Sequence, residues 1–402
     1  MKKRLLFVDD TENVLQGLRR MLRSKRHEWD MEFAASGEEA LAILSERPAD
    51  VIVADMRMPG MDGAELLSTV MERHPQTIRI VLSGQSDKEM IMKSIGPTHQ
   101  YLSKPCNADE LKNIIERALA LRDLLTDEKL KGLVAQIRYL PSLPTLYLEL
   151  MQELQSANVT MKRVGEIISK DVGMTAKILQ LVNSAFFGLR ENISSPIHAA
   201  KLLGPEIIKA LVLSVQVFSK FDQFKIKCLP LAKLLNHSLS VAAFARRIAI
   251  LETQSEKIID HAIMAGLLHD TGKLVLAENL PDEYGEAVMF ARQQGIGMWQ
   301  AEQEIIGATH AEIGAYLLGL WGLPDNIVEA LAYHHRPQHC LGMNFSPLTA
   351  VHVANVLEHA FCDTKVLAAE PDREYLQKLG LADRLQLWQE NCRQASQERE
   401  TL

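Results

Sequence analysis

Val51-Ile52-Val53-Ala54-Asp55 is a short apolar run that stops on a single carboxylate. Unbroken β-branched character, with no polar alternation, suits a strand buried on both faces. Similar runs stand at Leu5-Leu6-Phe7-Val8 and Ile78-Arg79-Ile80-Val81-Leu82, with weaker ones at Met31-Glu32-Phe33-Ala34-Ala35 and Gln100-Tyr101-Leu102. Helical patterns lie between them, near 12–26, 37–47, 62–74 and 86–95, and a longer one begins near Asn107. This alternation predicts an α/β domain with a doubly wound, parallel, five-stranded sheet.

Polar chemistry collects where those strands end. Asp9 and Asp10 follow the first, Asp55 the third, Ser83 the fourth and Ser103-Lys104-Pro105 the fifth. In an open parallel sheet the carboxyl ends of the strands form the crevice where ligands bind. Three carboxylates converging there repel one another unless a cation sits among them, and Mg²⁺ is the hard, oxygen-seeking choice. A phosphoryl group moved onto one of them needs neutralisation, which Mg²⁺ and Lys104 supply, and a hydroxyl donor such as Ser83. Asp55 stands alone and is the expected acceptor, whereas Asp9 and Asp10 are placed as metal ligands. Strand-end aspartates also start turns, but that reading does not explain why all these ends carry complementary groups.

The 402 residues call for two or three domains, and 47% hydrophobic with 24% charged residues is a globular composition. A net charge of −7 argues against a general nucleic-acid surface. The five cysteines are scattered without C-x-x-C spacing, which indicates neither a disulfide framework nor a zinc ribbon and fits a reducing cytoplasm. The apolar run after Met1-Lys2-Lys3-Arg4 ends at Asp9, too short for a signal segment, and no stretch suggests a membrane span.

From Asn107 an apolar helical stripe runs through Leu111, Ile115, Ala118, Leu121, Leu125, Leu130 and Val134 to Ile137, with little to break it before Pro141. It predicts one long amphipathic helix that dimerises, docks on the next domain or serves as a solvated linker. Beyond Pro141-Ser142-Leu143-Pro144 strand signals largely disappear. Helices are expected near 145–156, 160–169, 173–183, 196–203, 205–218, 229–251, 256–268, 282–294, 298–306, 310–320, 324–333 and 346–360. The organisation is thus 1–122, a helical connector over 123–140, an all-α domain over 141–365 and a helical tail over 366–402 to which no chemistry is assigned.

Histidines mark the ends of these helices: His237 near the start of one, His269-Asp270 after Leu267-Leu268, His310 at the start of another, and His334-His335 after the next. The apolar helix bearing His269-Asp270-Thr271-Gly272-Lys273 is expected to stop at Gly272. There an Asp that caps locally and a Lys complementing the dipole compete with a metal grip. Five histidines and an aspartate on successive helices favour the grip, and such donors suit Fe, Mn, Zn, Ni or Co better than Mg.

The first 122 residues resemble the receiver domain of bacterial response regulators, on Val8-Asp9-Asp10, Asp55-Met56-Arg57-Met58-Pro59-Gly60-Met61-Asp62-Gly63, Leu82-Ser83-Gly84 and Leu102-Ser103-Lys104-Pro105. The resemblance implies phosphorylation at Asp55 by a sensor histidine kinase, Mg²⁺ held by Asp9 or Asp10, Asp55 and the carbonyl of Arg57, and Ser83 and Tyr101 as switch residues. Residues 133–335 resemble the HDOD (HD-related output domain) branch of the HD superfamily of metal-dependent phosphohydrolases. That resemblance rests on Leu140-Pro141-Ser142-Leu143-Pro144, Ile168-Ser169-Lys170-Asp171, Leu267-Leu268-His269-Asp270-Thr271-Gly272-Lys273, Trp321-Gly322-Leu323-Pro324 and His334-His335-Arg336-Pro337. The HDOD branch is generally regarded as a regulatory output module, often without demonstrated catalysis. By motif position, His237, His269 and Asp270 would hold one metal, and Asp270, His310, His334 and His335 a second, with Lys273 facing substrate phosphate. Where the related cyclic di-GMP phosphodiesterases close the site with an Asp, this chain has Asn355, and their Gly-Tyr-Pro stretch is absent.

These features imply a cytoplasmic two-component response regulator whose HDOD output acts by binding a ligand or a downstream signalling protein, with no direct DNA contact and no membrane. The alternative is a metal-dependent phosphohydrolase acting on a nucleotide or cyclic dinucleotide; binding is preferred to turnover.

Overall fold

A computed structural model describes residues 2–83, 97–104, 106–122, 124–137, 141–142, 144–156, 158–183, 193–214, 219–220, 229–340, 342, 344–362 and 370–400. The helix expected near 86–95 and the side chain of Ser83 lie outside the described residues.

Five parallel strands, β1 (Lys3–Val8), β2 (Trp29–Ala34), β3 (Val51–Asp55), β4 (Ile78–Ser83) and β5 (Gln100–Ser103), form one sheet in the order β2-β1-β3-β4-β5. Every residue of β3 is buried, as its unbroken apolar run requires. The register pairs Val8 with Ala54, Asp55 with Leu82 and Ser83 with Ser103, so the chemistry-bearing strand ends share one edge. Helices α1 (Glu12–Met21), α2 (Gly37–Glu46), α3 (Gly63–Arg73) and α4 (Ala108–Arg122) cover the sheet. The start of α3 is set by a capping box, with Asp62 accepting from the Glu65 N–H and Glu65 accepting from the Asp62 N–H.

The single long connector helix is not what forms. After α4 the chain turns, and Asp127 caps a separate helix α5 (Glu128–Ala135) by accepting from the N–H groups of Lys129 and Leu130. An Asp placed well inside a periodic stripe competes for backbone donors and starts a new helix there. The stripe is covered within the chain itself: Leu121, Leu125, Leu130 and Val134 are buried in an apolar core that runs without a break from one face of the sheet into the helices that follow. Of the three fates expected for the stripe, docking is the one observed.

The second domain is built from α6 (Pro144–Gln155), α7 (Met161–Ile168), α8 (Val172–Val182), α9 (Pro196–Ser214), α10 (Leu231–Glu252), α11 (Glu256–Leu268), α12 (Thr271–Asn279), α13 (Pro281–Gln294), α14 (Met298–Ile305), α15 (His310–Leu320), α16 (Asp325–Tyr333), α17 (Pro347–Cys362), α18 (Arg373–Lys378) and α19 (Leu385–Glu400). Within the span of α9 Gly204 is non-helical, with φ +74° and ψ 167°, and it separates the two helices expected on either side of it. The helical expectation holds apart from Pro141–Ser142 and Ser219–Lys220, which pair as two short parallel strands, β6 and β7. The tail is part of this domain's core: Trp388 of α19 is fully buried, and its Nε1 donates to Glu252 at the end of α10 at 2.8 Å.

Helices α10 and α11 pack closely because Gly266 faces Ala242, where an added Cβ would lie 2.7 Å from the Ala242 Cα. Backbone cannot yield there as a side chain can. Gly266→Ala should therefore lower stability by about 1–3 kcal/mol in urea unfolding, whereas Gly285→Ala, in an open part of α13 with nothing within 4 Å, should be neutral or gain about 0.5–1 kcal/mol.

Candidate functional site

At the carboxyl edge of the sheet Asp9 and Asp55 are buried and Asp10 is exposed, and the three offer oxygens within 4.8 Å of one another. Lys104 Nζ bridges the buried pair, 2.7 Å from Asp9 Oδ2 and 2.6 Å from Asp55 Oδ1. Burial raises the Asp55 carboxyl above its ordinary range, opposed by Lys104. Burial pulls the Lys104 ammonium down, but its bonds to Asp55 and Asp9 outweigh that and hold it above the usual lysine value. Three oxygen donors and one ammonium suit a hard cation beside a phosphoryl group. Tyr101 of β5 is buried and lines a cavity of about 130 Å³ against the second domain, together with Ile114, Arg117, Gln180, Asn183 and Trp321.

The second cluster lies where four helix ends meet. His237 sits in α10, His269 caps the end of α11, Asp270 begins α12, His310 is the first residue of α15, and His334-His335 follow α16. The helix carrying His269 does not run to Gly272 as expected. It ends at Leu268, and α12 starts at Thr271 after two intervening residues, His269 and Asp270. Gly272 falls in the first turn of α12, where an added Cβ would run into the carbonyl of His310, so it permits α12 to touch the ligand-bearing end of α15.

Asp270 occupies an N-cap position yet makes no side-chain cap bond. Its carboxylate turns inward. Oδ2 lies 3.6 Å from His237 Nε2 and 3.5 Å from His269 Nε2; Oδ1 lies 3.2 Å from His310 Nε2 and 4.0 Å from His334 Nε2. Lys273, expected to face substrate phosphate, is here 2.6 Å from Asp270 Oδ2, at the start of a helix where it cannot complement the dipole. The local-cap reading of this tetrad is thereby removed.

The outer nitrogens decide how these rings are protonated. His269 Nδ1 donates to the Gly266 carbonyl at 2.7 Å and His334 Nδ1 to the Leu331 carbonyl at 2.8 Å. His237 Nδ1 meets Glu358 Oε2 at 2.6 Å and His310 Nδ1 meets Glu302 Oε2 at 2.6 Å. With Nδ1 engaged outward, Nε2 is the nitrogen of each ring that faces the centre, and its lone pair is open to a cation whenever the ring is neutral. Those lone pairs crowd: His237 and His269 Nε2 are 3.2 Å apart, and His310 and His335 Nε2 are 3.0 Å apart. Only a shared proton or a bound cation satisfies such contacts. Asp270 Oδ1, His334 Nε2 and Asn355 Oδ1 are moreover buried without a hydrogen-bond partner. The donor set fits a soft or borderline divalent metal, in two halves that share Asp270.

Burial, the largest influence, together with neighbouring groups holds His269 down at about 3 and His334 and His335 well below the imidazole range. Burial acts the same way on His310, but the Glu302 carboxylate outweighs it and raises that ring. Burial would raise Asp270, and the facing imidazoles and Lys273 overcome it, keeping the carboxylate ionised. Glu302 and Glu358 carry no sequence signal: each lies inside an ordinary helix, outside any motif, and only the packing brings it behind a histidine.

The geometry above is that of an acidic strand-edge site bridged by a lysine, joined to a buried centre of histidines around one aspartate. A family model for the response regulator receiver domain matches residues 5–116 and one for the HDOD domain matches residues 140–337. The chain therefore belongs to the response regulators that join a receiver domain to an HDOD domain. Among curated relatives, the hydrogenase transcriptional regulatory protein HoxA of Cupriavidus necator is 36% identical over 155 residues, 38% of this chain and 31% of that protein. An uncharacterized protein of Treponema pallidum is 27% identical over 203 residues, 50% of this chain and 38% of that protein. This chain thus spans well under half the length of either. Among solved structures, the MmoQ response regulator of Methylococcus capsulatus is 24% identical, covering 62% of this chain and 98% of that chain, with a TM-score of 0.48. No helix among the described residues is long and apolar enough to cross a membrane.

The histidine protonation has a consequence for stability. His269, His334 and His335 are held neutral, so below the unfolded value of about 6.5 the unfolded chain binds protons that the folded one refuses. Their contribution is full above that pH and is lost as pH falls. His310, raised, acts oppositely but is a single group. The metal-free protein should melt at progressively lower temperature between pH 7 and pH 5, measured by circular dichroism, and addition of Mn²⁺ or Co²⁺ at pH 7 should raise the melting temperature.

Proposed function

We propose that this protein is a regulator in which phosphorylation of Asp55, within a Mg²⁺ site of Asp9, Asp10, Asp55 and the Arg57 carbonyl, alters the geometry of a transition-metal centre in its HDOD domain. The observation that carries this reading is the course of two helices. Helix α15 begins at His310 and, nine residues later, reaches Gly319, whose carbonyl accepts from Gln100 Nε2 of β5 at 3.2 Å. Helix α16 begins at Asp325, 2.6 Å from Arg117 Nε of α4, and ends at His334-His335; Arg117 also donates to the Leu323 carbonyl in the turn between them. Each helix thus meets the receiver at one end and bears inward-facing histidines at the other, roughly 15 Å away.

The receiver face that these helices meet is formed by β5 and α4, and it includes Tyr101 beside a cavity. A phosphoryl group on Asp55, with Lys104 and Ser83 drawn toward it, changes the balance at the end of β5. Rotation of Tyr101 into or out of that cavity alters how β5 and α4 grip the α15–α16 turn. Packed helices respond by small rigid shifts, which displace His310, His334 and His335 relative to Asp270. A sensor histidine kinase is the phosphodonor expected for such a site in the cytoplasm, and a downstream signalling protein reads the altered HDOD surface. A metal bound at the histidine centre supplies charge that holds the helix ends together.

A second reading, metal-dependent phosphohydrolysis, is favoured by one observation: Asp270 is shared between two groups of histidines. Metal analysis of the purified protein, with phosphodiester and nucleotide hydrolysis assayed in Mn²⁺ and Fe²⁺ for wild type and His269→Ala, separates the two. Turnover lost in the variant would establish hydrolysis, and a metal-bound protein without turnover supports the binding output.

Labelling by acetyl phosphate should vanish in Asp55→Asn and persist in Arg117→Ala. In wild type, phosphorylation should change hydrogen exchange across 310–335, and Arg117→Ala should weaken that change at least twofold. Because the two sites are coupled, phosphorylation should also alter the affinity of the histidine centre for metal, measured by Co²⁺ titration. Labelling that survives Asp55→Asn, or exchange that is identical with and without phosphate, would refute the scheme.

A further inference from the structure

We infer that Glu358, acting through His237, supplies the negative charge that the neutral Asn355 withholds from the histidine centre, and that the half built on His237, His269 and Asp270 depends on it to hold a cation. The inference rests on the metal-centre reading above. Neutral imidazoles bring no charge, and Asp270 is a single carboxylate shared by two halves. Two divalent cations there would be poorly compensated by one negative charge.

The structure places one further carboxylate behind each half. Glu302, fully buried, meets His310 Nδ1, and Glu358, 6% exposed, meets His237 Nδ1, both at 2.6 Å. A glutamate is rarely buried to this degree unless it is paired. The Glu358 contact has two effects on His237. It holds the proton on Nδ1, which leaves the Nε2 lone pair directed at Asp270 and His269, and it makes the ring a stronger donor, as a carboxylate behind a ligating imidazole generally does. Glu358 is thus a positioning residue, one shell outside the metal.

Its location bears on Asn355. Both residues belong to α17, three positions apart, so they lie on neighbouring turns of the same helix face. Asn355 is 4% exposed and its Oδ1 has no hydrogen-bond partner. The charge that a carboxylate at 355 would bring is carried instead one turn further along the helix. A purely structural role, in which the Glu358–His237 bond only pins α17 to α10, makes a different demand: a neutral acceptor would serve it as well as a charged one.

Co²⁺ titration of the metal-stripped full-length chain, followed by visible absorption and by competition with a chelating indicator, tests this. Wild type should bind two cations. Glu358→Gln, which keeps an acceptor oxygen but not the charge, should weaken one of them by about 10- to 100-fold and leave the other unchanged. Adding Asn355→Asp to Glu358→Gln should recover most of the loss, and Asn355→Asp alone should tighten the weaker cation. Melting curves of the metal-free variants that match wild type would show that the fold is intact. Equal affinity in wild type and Glu358→Gln, or no recovery on adding Asn355→Asp, overturns the role of Glu358. Absence of Co²⁺ binding by wild type overturns the metal-centre reading itself, and the inference with it.

Discussion

Imidazole nitrogens facing one another at 3.0–3.2 Å around a buried carboxylate are the constraint on which the HDOD domain depends. Four of the rings are fixed from outside, two by backbone carbonyls and two by glutamates, so none can turn to relieve the crowding without breaking a buried hydrogen bond. Only protons or cations satisfy the centre. That makes it the point where ligand state is felt by α10, α11, α12, α15, α16 and α17 together, because every one of those helices ends at it or donates a side chain to it.

The proposed coupling needs elements that reach from the receiver to the histidine centre, and α15 and α16 are such elements. Their distal ends meet Gln100 and Arg117 through a hydrogen bond and an ion pair, while their proximal ends carry His310, His334 and His335. The ion pair is largely solvent-exposed on the Asp325 side and contributes little stability by itself. The continuous apolar core through Leu121, Leu125 and Leu130 supplies the adhesion, and the polar contacts supply register.

Much of this was legible in the residues. The run Val51 to Asp55 and its partners carried the parallel sheet, and the strand-end aspartates with Lys104 carried the acidic cluster at its carboxyl edge. The six residues expected to converge in the second domain, His237, His269, Asp270, His310, His334 and His335, do converge. What failed was local. The connector stripe was continuous in apolar period, yet Asp127 diverted backbone donors and split it. The tetrad helix was expected to stop at Gly272, but the break falls at His269-Asp270, because the carboxylate is held by the imidazoles instead of by its own backbone. The tail, set apart in the sequence reading as a helical segment without assigned chemistry, places Trp388 in the core.

Periodicity and residue type alone determined the class of each element, the edge of the sheet that carries chemistry, and the set of side chains able to ligate a metal, since each of these follows from the intrinsic character of short segments. Tertiary structure decided which nitrogen of each ring faces inward, and it recruited Glu302 and Glu358. It also decided that two helices run from the receiver to the histidines. These depend on groups far apart in the chain meeting at hydrogen-bond distance, His237 with Glu358 and Gln100 with Gly319 among them, and no local pattern encodes a distance between segments that only packing brings together.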